Sequence, residues 1–227
     1  MAQSVLIIAD SGTGKSTSIR HLNPEETFVI NIANKPLPFK GWKGMYAGIS
    51  KENPKGNLAS SSSAAGVIKA ILHVNEKMPH IKTLVVDDWQ YMSSFEYFDR
   101  ANEKGYEKFT QIAANLAQVA KLPKDLRDDL TVFFLTHSED ATDINGNRKI
   151  KAKTIGKMID NTLTLEGLFS IVLFGKVSKN DDGELIYGFE TQNNGENTCK
   201  SPQGMFEERF IPNNLQYVKD CIKKYEE

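Results

Sequence analysis

The chain has 227 residues, a formal net charge of −1, 40% hydrophobic and 25% charged residues. That composition predicts an ordinary soluble core, and the length fits one domain or one domain with an appendage. Near-zero charge excludes a molecule that is polycationic throughout, so any nucleic-acid contact must be local. Two cysteines, Cys199 and Cys221, show neither metal spacing nor a disulfide framework, and are expected as small apolar residues of a reducing compartment.

Strand signals alternate with helical ones, which predicts an α/β fold with a central, mainly parallel sheet flanked by helices. The first strand is predicted over about Ser4 to Ile8. It runs straight into Ala9-Asp10-Ser11-Gly12-Thr13-Gly14-Lys15-Ser16-Thr17, and a helix is expected from Lys15 to about Leu22. A glycine-rich turn between a strand and a helix points successive backbone N–H groups inward and makes a nest for phosphate oxygens. The residues from Asp10 to Thr17 are therefore expected to hold the phosphates of ATP. Lys15 is expected to reach the β- and γ-phosphates, and Ser16 to ligate Mg²⁺. Because that first apolar run leads into the loop, it is read as a strand and not as a signal peptide.

A second strand is expected at Phe28 to Ile32. Asn34 to Ser63 reads as a long loop with one short strand near Met45, and Ser62 or Ser63 as the cap of a helix from about Ala64 to Glu76. Thr83 to Val86 is a buried strand ending in Asp87-Asp88. In open α/β sheets, ligands gather at the carboxyl ends of strands. Asp87 is expected to hold the metal and Asp88 to orient the attacking water. A helical region broken near Gly105 should run from Tyr91 to Ala120. Leu130 to Leu135 is a further buried strand ending in Thr136-His137, and either residue could sense the γ-phosphate or hold the water.

Ser138 to Thr154 is polar, with a turn at Asn145-Gly146-Asn147. Its basic residues Arg148, Lys149, Lys151 and Lys153, with Lys157 beyond, could touch a DNA backbone, supply a cation to a neighbour's ATP, or form a solvated charged loop. Trp42, Tyr46, Trp89 and Tyr91 could stack on a base, with packing the simpler role. Gly167 to Val177 and Glu184 to Thr191 predict a β-hairpin, and Asn214 to Tyr225 an amphipathic helix. One domain is expected over residues 1–227: a nucleotide-binding core over 1–137, then a basic loop, the hairpin and the helix over 138–227. No stretch approaches bilayer length, so no membrane contact and a cytoplasmic location are expected.

The P-loop, the Val85-Val86-Asp87-Asp88 strand end and the Phe133-Phe134-Leu135-Thr136-His137 strand end resemble those of RecA-like ATPases. More closely, the chain resembles phage-encoded RecA-like ATP-binding proteins. The likeness extends through Thr154 to Lys157, Thr164 to Phe169, and Asn197 to Pro202 with Gly204 to Phe206. The resemblance implies ATP with Mg²⁺, a host-cell cytoplasmic setting, and a homo-oligomer on single-stranded DNA in recombination or annealing. Phage recombination or single-strand-binding proteins would be its partners. In this class the Thr136 strand lies between the first strand and the Asp87 strand. By likeness to a Lys-rich stretch before a proline, Lys200 in Lys200-Ser201-Pro202 would act on a neighbouring subunit's γ-phosphate. Two departures stand out: Ala33-Asn34-Lys35 carries no acid where recombinases place a catalytic Glu, and the first strand begins almost at Met1, without a polymerisation segment. A P-loop nucleotide kinase and a non-hydrolysing nucleotide-dependent adaptor are the alternative readings.

Overall fold

The computed structural model describes the chain except residues 143–145 and 155–163. Among the described residues nine strands form a sheet: β1 (Gln3–Ala9), β2 (Thr27–Asn31), β3 (Leu58–Ala59), β4 (Thr83–Asp87), β5 (Thr131–Thr142), β6 (Arg148–Ala152), β7 (Ile171–Lys179), β8 (Leu185–Glu190) and β9 (Phe210–Pro212). Their order is β3-β2-β4-β5-β1-β7-β8-β9, with β6 paired to β5 outside that path. β5 lies between β1 and β4, parallel to both, as expected. β7 is parallel to β1, and β8 and β9 follow antiparallel, which gives the expected C-terminal hairpin.

The central strands are apolar at successive positions because both faces of the sheet are covered. In β1, Leu6 and Ile8 join one core with Val86 and Phe134, beneath helices α2 (Ala64–Lys77), α3 (Tyr91–Asp99) and α4 (Glu107–Lys121). Val5 and Ile7 join the opposite core with Val85 and Phe133. Ile19 and Leu22 close that second core together with Leu215, Val218 and Ile222 of the C-terminal helix (Leu215–Glu226). This is the alternation that a pleated strand imposes.

Several local expectations need correction. The helix expected from Lys15 to about Leu22 is present as a 3₁₀ helix over Ser16–His21. Near Met45 there is a helical turn, α1 (Trp42–Met45), which follows Gly41 at φ 84° and not a strand; the short strand falls at Leu58–Ala59. β5 does not stop at Thr136-His137 but continues to Thr142 and turns back as β6, so the polar stretch is a hairpin. Sequence pattern misses this because the outer half of the strand is not buried and carries no apolar alternation. β7 starts at Ile171, after a 3₁₀ turn at Leu165–Leu168. Ser63 caps α2 by accepting a bond from Gly66 N at 3.2 Å, and the α3–α4 break contains Gly105 at φ 92°. The C-terminal helix is labelled α5 below.

Candidate functional site

The loop after β1 holds its shape through two left-handed glycines, Gly12 (φ 83°) and Gly14 (φ 87°), a conformation that costs other residues energy. Thr13 donates from its hydroxyl to the Asp10 carbonyl at 2.8 Å, closing the turn. The Asp10 carboxylate accepts a bond from the Ser138 hydroxyl and so ties the loop to β5. At Gly14 a Cβ would stand 3.2 Å from Asn213 Nδ2.

The P-loop borders a cleft of about 530 Å³ at the carboxyl ends of the parallel strands. Of the residues expected to bind nucleotide or metal, Ser11, Gly12, Gly14, Lys15, Ser16, Thr17, Asp87 and His137 line it. Ser16 donates to Asp87 Oδ1 at 2.8 Å across the end of the intervening β5, which brings the expected metal-binding pair together. Asp87 is only 1% exposed. Burial, and then the charge of Asp88, push its carboxyl up to about 6, against the pull of Ser16, Lys15 and Lys35.

Asp88 is also buried and does not line the cleft. Its backbone is left-handed at φ 56°, a strained conformation for this residue type. Lys15 Nζ lies 3.2 Å and His137 Nε2 3.4 Å from its Oδ1, and Lys35 pairs with Oδ2. Burial pushes this carboxyl up, but His137, Lys15 and Lys35 outweigh burial and hold it well below the usual carboxylate range. The geometry makes Asp88 a charge hub behind the cleft.

Thr136 and His137 separate in the same way. Thr136 is fully buried and donates to Gln90 Oε1 at 3.2 Å, while His137 faces the cleft. Gln90 also accepts from His137 N at 3.2 Å and so holds this part of β5 from α3's side. Tyr91 meets the His137 ring edge-on at 5.7 Å between centroids. Trp89 and Tyr46 are packed in the core, the role left open for them.

Sequence reasoning missed Lys35, Gln90, Arg20, Tyr187 and Asn213. Arg20 Nη1 donates to Asn213 Oδ1 at 3.2 Å, and Asn213 N donates to Tyr187 O at 3.2 Å. These three line the cleft on the β8 side, opposite Asp87 and His137. They are far apart in sequence and form no contiguous pattern. Lys35 alone had a signal, since it stands where an acid was sought.

Lys200 lies away from the cleft. Its backbone exchanges hydrogen bonds with Val172, at 2.9 Å and 2.8 Å, level with Leu6 of β1, and its side chain is exposed. The basic run is a strand and largely paired: Arg148 with Asp140 at 2.8 Å, Lys151 with Glu139 at 3.2 Å, and Lys149 Nζ with Gly195 O at 2.8 Å. Lys153 is exposed, and Lys157 lies outside the described residues. The cysteines are free, and burial pushes the Cys199 thiol up to about 12, which suits packing.

A parallel sheet with β5 inserted beside β1, a P-loop after β1 and an acid pair after β4 define a P-loop NTPase domain. A family model described as an AAA domain matches residues 1–203, and the chain belongs to that family. No curated protein matches it. The family carries NTP binding and hydrolysis. Among the described residues no helix is long and apolar enough to cross a membrane.

Proposed function

We propose that this protein binds ATP with Mg²⁺ and hydrolyses it. The observation that carries the reading is the Ser16–Asp87 bond of 2.8 Å beside a glycine-shaped anion nest. These two oxygen donors fit a small hard cation. Asp87 is buried, and among the described residues the nearby Lys15 and Lys35 form their ion pairs with Asp88. Magnesium held there would neutralise charge on the phosphates. The P-loop N–H groups and Lys15 hold the β- and γ-phosphates, while sugar and base lie toward Arg20, Asn213 and Tyr187. His137 is the cleft-facing group of β5 level with Ala9, beside the P-loop, and we assign it to orient water. Asp88 then acts as a positioning residue that sets Lys15 and His137. In the reaction, water oxygen bonds to the terminal phosphorus, the bond to the bridging oxygen breaks, its electron pair leaves on ADP, and the water proton ends on inorganic phosphate.

We further propose that the ATPase serves DNA recombination or annealing as a homo-oligomer on single-stranded DNA, where the exposed Lys200 reaches a neighbour's site. The support for this part is the sequence resemblance. The pairing of Arg148 and Lys151 with acids reduces the free charge that the hairpin offers to phosphate. Hydrolysis is favoured over phosphoryl transfer to a substrate hydroxyl because Arg20, the arginine that lines the cleft, sits on the Tyr187 side, opposite Asp87 and His137.

The test is steady-state turnover of Mg-ATP alone, with single-stranded DNA and with duplex DNA. Lys15→Ala should lower turnover by about 10²-fold or more, as loss of a preorganised transition-state cation does. Stimulation by single strands above duplex supports the DNA role. Turnover indifferent to DNA removes it and leaves the ATPase.

A further inference from the structure

Among the described residues the site holds a cation that the chemistry above does not use. Lys35 lines the cleft, yet it comes from the loop after β2 and is unrelated to the P-loop. Its backbone is set with care for a surface residue. Asn34 turns the chain left-handed at φ 50°, and Asn31 Nδ2 donates to Lys35 O at 2.6 Å. Pro36 restricts Lys35 to extended backbone. Leu37, 3% exposed, then plugs the segment into the core with Val29 and Val85. The side chain crosses the Tyr91 ring, with Nζ 5.9 Å from its centroid, to reach Asp88.

The charge arrangement at its end is uneven. Asp87 is turned to Ser16, so one carboxylate, Asp88, serves both Lys15 and Lys35, with His137 also in contact. The two lysines differ in confinement: the Lys15 side chain is 7% exposed and that of Lys35 is 52%. A half-exposed ammonium changes partner at little desolvation cost, whereas a buried one does not. Asp88 keeps Lys15 and His137 when Lys35 leaves, so the exchange strands no buried charge.

We propose that Lys35 is a second phosphate-facing cation of this site, one that exchanges Asp88 for the terminal phosphate of the bound nucleotide and stabilises the charge developing there. The inference rests on the nucleotide-hydrolysis reading. Its logic is that of an arginine finger, with the cation supplied within the chain by the loop after β2. Such a cation contributes little to a diphosphate, which lacks the group it meets. Discrimination between ATP and ADP is therefore built into Lys35, while overall phosphate binding belongs to the P-loop.

The experiment compares wild type, Lys35→Ala, Lys35→Arg and Lys15→Ala. It measures turnover of Mg-ATP, and the dissociation constants of Mg-ADP and of a non-hydrolysable ATP analogue by calorimetry. Lys35→Ala should lower kcat by about 10²–10³-fold, the range of one lost transition-state donor, and should raise KM in step with weaker binding of the triphosphate. It should also lose the preference for the triphosphate analogue over ADP, and Lys35→Arg should restore part of both. A Lys35→Ala protein with kcat within about twofold of wild type and unchanged discrimination overturns the proposal. Should wild type bind both nucleotides without turnover, the discrimination ratio alone decides. Should wild type bind neither, or Lys15→Ala match wild type throughout, the nucleotide reading itself falls and Lys35 with it.

Discussion

Asp87 shows how a functional residue works against stability. Its carboxyl is pushed up to about 6, chiefly by burial, so ionising it costs the folded state energy without a cation in place. The folded pKa lies above the unfolded value of about 4; this cost begins near pH 4, grows to about pH 6, and persists above it. Asp87→Asn keeps an acceptor for Ser16 and removes the charge. At pH 7.5 without nucleotide the variant should melt higher than wild type, by about 2–4 °C per kcal/mol regained. Its thermal shift with ATP should become independent of Mg²⁺. At the other end of the cleft, Tyr187 lines the wall to which we assign the base. Tyr187→Ala should weaken ATP by about tenfold, the value of one lost stack, and leave inorganic tripolyphosphate unchanged. Equal loss for both ligands, read by calorimetry, would move the base elsewhere.

At the scale of elements, the caps and turns can be separated from the chemistry. Asn214 caps α5, its Oδ1 accepting from Gln216 N at 2.9 Å and Tyr217 N at 3.2 Å. Asn214→Ala should cost about 1 kcal/mol by denaturant titration and leave nucleotide affinity within twofold. Gly14→Ala should behave differently. It adds strain of about 1–2 kcal/mol at positive φ and drives a Cβ against Asn213, so both stability and ATP binding should fall. The β5–β6 hairpin is the remaining element with an open role. Asp140→Asn removes the carboxylate that pairs with Arg148 at 2.8 Å. If single strands meet the hairpin, affinity should rise and the slope of log K against log salt should steepen by about 0.7 per freed cation. An unchanged slope, measured by anisotropy, places DNA on another surface.

For the molecule as a whole, the family match ends at residue 203, yet the chain beyond it closes the site. Asn213 lines the cleft, and Leu215, Val218 and Ile222 seal the core beneath the P-loop. Two parts of this architecture were legible in the sequence for a physical reason: they are local. A P-loop needs glycines at fixed offsets between a strand and a helical turn, and a strand covered on both faces must be apolar at successive positions. So the expected strand ends at Ala9, Asp87 and His137 pointed to one site, although β5 itself runs on to Thr142. The rest depended on tertiary contacts between residues far apart in the chain. Which of Thr136 and His137 faces the cleft turns on the strand's pleat and on Gln90. Whether Asp88 meets the cleft or lies behind it turns on its left-handed backbone. Whether the basic run is free turns on the acids across the hairpin. Lys35, Arg20, Tyr187 and Asn213 meet only once β2, β8 and the segment after β9 are in place, because side-chain direction across a sheet is set by pairing and not by neighbours in sequence.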